Sequence, residues 1–163
     1  MKVLKKGLVL SFVLGVAGFI LYQGTRGLET SLSISDQIVN RLLAWMLDDP
    51  LLVSEAYYEW YPFMNYLIRK MAHFLEYALF GCLFALYFNG KKEKRLDVFV
   101  YSLLPVLIVA IFDEFFQSYV GRGSLVSDVM IDGAGGLFGI GLLLVFVENK
   151  NIFKRKTLRL VQK

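Results

Sequence analysis

Four long apolar runs dominate this 163-residue sequence, at 7–23, 71–88, 96–120 and 128–147. At 1.5 Å per residue, a helix of about 20 residues covers the roughly 30 Å hydrocarbon core of a bilayer. Hydrophobic residues make up 56% of the chain and the mean hydropathy is +0.54. A water-soluble domain of this size holds about 45–50% apolar residues, so the excess is assigned to lipid-facing surface. The fold predicted is all-α: an integral membrane four-helix bundle forming one domain over 1–163. An amphipathic helical outer loop, 24–70, joins spans one and two, and a cytoplasmic tail covers 148–163.

The first run follows Lys2, Lys5 and Lys6, as in a secretory leader. The next residues, GTRGLE, lack a small-x-small cleavage site, so it is expected to remain as a span. Lysine and arginine then set the orientation. With the N-terminus inside, 13 of the 18 basic residues fall on the inner side. Only Arg26, Arg41, Arg69, Lys70 and Arg122 fall outside. The positive-inside rule places both termini in the cytoplasm of a multi-pass protein of the bacterial cytoplasmic membrane.

The basic pI does not imply nucleic acid, because the basic residues flank apolar spans, where anionic lipid headgroups are the natural partner. The tail FKRKTLRLVQK reads as a membrane-surface segment for the same reason. The lone cysteine, Cys82, excludes an internal disulfide and any multi-cysteine zinc site. In the outer loop, Ser35 is expected to cap a helix whose apolar face carries Ile38, Val39, Leu42, Leu43 and Met46, ending at Asp48-Asp49-Pro50. EAYYEWYPF, rich in Tyr and Trp, suits the headgroup level. Pro105 is expected to kink the third span.

The ionisable residues of the spans are not scattered. Span two opens with Arg69, Lys70, His73 and Glu76, with Tyr77 beside them. Span three ends with Asp113, Glu114 and Gln117; Arg122 and Ser124 lie in the turn after it, and Asp128 and Asp132 open span four. The short connections 89–95 and 121–127 make the three helices antiparallel neighbours, so all these groups reach one depth. Spacings of three and four residues place them on shared faces. A charge facing lipid at the midplane costs about 2.5–3.5 kcal/mol, so Glu76, Asp113, Glu114 and Asp132 should face an interior chamber open to the outside. Three cations against five carboxylates leave that chamber formally at −2, a balance that favours carboxyl protonation or a bound cation. Gly135 and Gly139 form a GxxxG suited to close helix contact.

These motifs, RKMAHFLEYALFG in span two and FDEFFQSYVGRGSLVSDVMIDGAGGLFG across spans three and four, resemble the VanZ-like membrane protein family. Ser31, Ser33 and Ser35 are similar to a serine-bearing outer loop of that family, and Asp132 stands where many members carry Asn. The resemblance implies a bacterial cell-envelope role. The founding member is associated with low-level resistance to the glycopeptide antibiotic teicoplanin.

Two functions fit these residues. In the first, the outer pocket binds a lipid-linked precursor, a lipid headgroup or a glycopeptide, with Arg69 and Arg122 holding the anionic group and Tyr77, Gln117, Ser124, Asp128 and Asp132 completing the binding set. In the alternative, an intramembrane hydrolase or phosphoryl-transfer enzyme acts on a lipid-linked substrate through His73, Glu76, Asp113 and Glu114. No cofactor is required by either. The single histidine excludes multi-histidine metal sites, while a carboxylate-rich site with His73, Glu76 and Asp113 leaves room for a divalent cation. A transporter is less favoured, because the inner half lacks matching polar groups.

Overall fold

The computed structural model describes residues 2–47, 50–89, 94–122 and 126–161, and every secondary-structure element among them is helical. There are five helices: α1 Lys2–Gly24, α2 Leu28–Met46, α3 Pro50–Phe88, α4 Arg95–Tyr119 and α5 Val126–Val161. Four contain stretches long and apolar enough to cross a membrane: Lys6–Gly24, Tyr58–Phe88, Arg95–Tyr119 and Val126–Lys150.

The segment expected as an amphipathic helical outer loop, 24–70, holds α2 and the first half of α3, so the second span continues a longer helix. Arg69-Lys70 reads as the border of an apolar run, but both residues are half-buried and lie inside α3. It begins at Pro50 instead, a first-turn position where the missing N–H is harmless. Ser35 is a correction too. It lies inside α2, which starts after Gly27, and its hydroxyl donates back to the Ser31 and Leu32 carbonyls. Asn65 on α3 donates to Ser35 Oγ at 2.8 Å, tying α2 against α3 as a helical hairpin. The apolar face of α2 divides: Val39 and Leu43 are buried, whereas Ile38, Leu42 and Met46 remain exposed. Asp48 and Asp49 lie outside the described residues.

Helix α3 packs against each of the other four helices. Its closest neighbour is α5, and glycines permit the approach. A Cβ on Gly135 would run into the Phe74 carbonyl, one on Gly139 into the Ala78 carbonyl, and one on Gly81 into the Gly136 carbonyl. Small residues therefore set this interface, as expected where lipid removes the hydrophobic drive for helix association. Around it, Val13 and Ile20 of α1 meet Tyr77 and Phe80 of α3 and Val106 and Ala110 of α4. A second cluster, Ala85, Val98 and Ile140, holds the opposite end. Helix α4 runs unbroken through Pro105.

Candidate functional site

At the end of α4 the chain reverses in a Schellman turn. Val120 caps the helix, Gly121 takes the left-handed conformation (φ 77°), and the Arg122 and Gly121 N–H groups donate to the Gln117 and Ser118 carbonyls. This turn sends Arg122 back across the bundle. Its guanidinium donates from Nη1 to the Gln23 carbonyl of α1 and from Nη2 to Ser31 Oγ of α2, each at 3.3 Å. Burial lowers the pKa of Arg122 from its ordinary value, and the nearby Arg69 guanidinium lowers it further, against the pull of Asp113, Glu114 and Asp128.

Arg122 closes one side of a cavity of about 120 Å³. Arg26, Arg69, Ser31, Ser35, His73, Glu76 and Asp113 give the lining its polar groups, and Ile20, Ile34, Ile38 and Ile68 its apolar ones. Arg26 donates to Gln23 Oε1 at 3.1 Å. Among the described residues, the Nε atoms of Arg69 and Arg122 are buried without a hydrogen-bond partner, an arrangement costly enough to need a reason.

A deeper cluster lies where α3, α4 and α5 meet. His73 Nδ1 stands 3.5 Å from Asp132 Oδ1 and 3.8 Å from Asp113 Oδ2. Both aspartates are 1% exposed, and Glu114 and Gln117 are buried beside them. Gln117 donates to Asp113 Oδ2 at 3.0 Å. His73 lines this cavity and also a smaller one shared with Lys70, Glu114, Asp128 and Asp132.

Residues 9–147 match the VanZ/LLP1 family. The chain belongs to that family. No curated protein and no solved structure matches it. With four bilayer-length apolar helices, this VanZ/LLP1 member is a multi-pass membrane protein.

The structure brings together most of the residues singled out in this VanZ/LLP1 sequence. His73, Glu76, Asp113, Arg69 and Arg122 line the main cavity, and Glu114, Gln117, Asp128 and Asp132 line its smaller neighbour. Two placements differ. Asp128, expected in the binding set, is held in an ion pair with Lys70 at 2.5 Å. Tyr77 is fully buried in the apolar core and lines neither cavity. Ser124 lies outside the described residues. In the tight carboxylate–histidine cluster Asp132, not Glu76, joins His73 and Asp113. Gln23 and Arg26 escaped sequence reading, because a single polar residue at a span end looks like an interfacial flank; their i, i+3 spacing was the available signal.

Proposed function

We propose that this VanZ/LLP1 protein is a bacterial cell-envelope protein that holds the anionic head of a membrane amphiphile in the cavity between α1, α2, α3 and α4. The candidate ligands are a lipid headgroup, a lipid-linked cell-wall precursor or a glycopeptide. The observation that carries this reading is the convergence of Arg26, Arg69 and Arg122 on one cavity that isoleucines also line. Glu76 and Asp113 on the same cavity offset part of the charge of Arg69 and Arg122, and an anion would supply acceptors for their unpartnered Nε groups. Ile34, Ile38 and Ile68 give the adjoining acyl or prenyl chain an apolar wall.

The distribution of lysine and arginine supports an outward-facing cavity in the cytoplasmic membrane, with both termini inside. In that orientation the protein meets envelope precursors after they have crossed the bilayer. A contribution to teicoplanin resistance is the version of this role that the resemblance to the family's founding member suggests.

Native mass spectrometry of the purified protein tests the reading. Phosphatidylglycerol, a polyprenyl phosphate and teicoplanin would be offered separately, with phosphatidylcholine as the neutral control. Selective retention of an anionic probe, reduced at least tenfold in Arg122→Gln, is expected. Equal retention of all four by wild type and variant would sink the proposal.

A further inference from the structure

The carboxylates beneath the arginine-lined cavity are arranged for a ligand of opposite charge to the one above. Asp132 is 1% exposed, and among the described residues its only close polar partner is His73, in a contact too long to satisfy either carboxylate oxygen well. Asp113 is equally buried, and its Oδ1 also lacks a hydrogen-bond donor. Buried carboxylate oxygens in native proteins are normally satisfied, and each unpaired one costs free energy. The nearest cationic candidate is His73, whose Nδ1 approaches Asp132 only to 3.5 Å and Asp113 only to 3.8 Å. Those separations exceed good hydrogen-bond length. They do match ligand spacing around a metal: with metal–ligand bonds near 2.0–2.1 Å, tetrahedral donors sit about 3.4 Å apart.

From this geometry we infer that His73, Asp113 and Asp132 form a binding site for one divalent first-row transition metal, Zn²⁺ or Mn²⁺. One donor atom from each residue lies within 4.8 Å of the other two. The residues come from α3, α4 and α5, so the site also fastens three helices together. A neutral imidazole and two carboxylates carry two negative charges, which a dication cancels. The imidazole nitrogen favours a transition metal over Mg²⁺ or Ca²⁺, which prefer all-oxygen sites. Gln117 Nε2, bonded to Asp113 Oδ2, orients that carboxylate from outside, as outer-shell donors do at metal centres. His73 lines both cavities, which gives the ion a route in from the arginine-lined side.

This inference does not depend on amphiphile binding, and its test is done without phospholipid. Full-length protein in maltoside detergent is stripped with chelator, desalted and titrated with Mn²⁺ or Zn²⁺. Wild type should bind one equivalent of metal. Its Mn²⁺ complex should show spin-echo modulation from a directly coordinated imidazole nitrogen. His73→Gln should lose that modulation, and Asp132→Asn should weaken binding at least tenfold. Glu148→Gln, at the far end of α5 where Glu148 pairs with Arg95, should change neither. Wild type that binds neither metal, or binds Mn²⁺ without nitrogen modulation, overturns the inference whether or not the variants fold. Wild type that binds metal but retains no anionic amphiphile would keep this site and count only against the amphiphile proposal.

Discussion

Gly24 and Asp113 occupy one another's space: a Cβ on Gly24 of α1 would overlap the Asp113 carboxylate of α4. The last residue of the first helix is thus shaped around a buried charged group. Gly24→Ala should rotate that carboxylate away or push α1 outward. Overpacking of this kind typically costs about 1–3 kcal/mol, which should appear as a lower melting temperature in detergent. Adding Asp113→Ala removes the clashing oxygen. The double variant should therefore lose less stability than the two single losses combined. Strict additivity would show that the contact has no energetic consequence.

The α3–α5 contact should be less forgiving. Gly139 faces the Ala78 carbonyl and Gly135 the Phe74 carbonyl, both backbone atoms of a helix that has no flexible side chain to yield there. Gly139→Leu should separate the helices and abolish recovery of monodisperse protein. Gly141→Leu, with nothing within 4 Å of its missing Cβ, should be tolerated. Size-exclusion profiles of the two variants decide the matter.

Much of this arrangement was legible in the sequence because membranes make polar residues expensive. Asp113, Glu114 and Asp132 announced an interior position by their cost alone, and all three are buried. Short connections fixed α3, α4 and α5 as neighbours, so their polar ends had to converge. The sequence was silent wherever a contact depends on how helices rotate against one another. Spacing placed His73 and Glu76 on a shared stripe of α3 but did not say which would meet Asp132. Nor did it show that Arg122 reaches Gln23 and Ser31, 99 and 91 residues away in the chain. The extension of α3 back to Pro50 was missed because Arg69-Lys70 resembles a span boundary.

The Schellman turn should matter more for ligand binding than for folding. Gly121 is the one described residue with positive φ, and an L-residue there costs roughly 1–2 kcal/mol. Gly121→Ala should lower stability by about that amount and displace Arg122 from Gln23 and Ser31. Retention of the anionic probe should fall several-fold while the protein remains monodisperse. Unchanged retention would mean that Arg122 is positioned by its partners rather than by the turn.

The Lys70–Asp128 pair joins α3 to α5 beside the smaller cavity, with side chains 20% and 15% exposed. Lys70 Nζ also lies 5.4 Å from the centre of the Tyr66 ring. A charged hydrogen bond with this degree of burial contributes on the order of 1–3 kcal/mol when one partner is removed. Lys70→Gln and Asp128→Asn should each destabilise by about that much, and the double variant by clearly less than the sum. Thermal melts of the four proteins give the coupling energy directly. A coupling near zero would mark the pair as a surface contact.

Orientation decides which compartment supplies the ligand. Tyr119, 85% exposed at the end of α4, sits beside the Schellman turn, whereas Lys94 is exposed just before α4 begins. The two positions therefore bracket one span. In a background carrying Cys82→Ser, Tyr119→Cys should react with a membrane-impermeant maleimide on intact cells. Lys94→Cys should react only after permeabilisation. The basic residues around Lys94 should hold that end in the cytoplasm, where anionic headgroups and the membrane potential both favour positive charge. The arginines of the cavity are opposed to that trend, and they can be kept outside only if burial among carboxylates and polar partners offsets it. The reverse labelling pattern would put the cavity on the cytoplasmic face. Its ligand would then have to be a precursor still under synthesis, not one already exported.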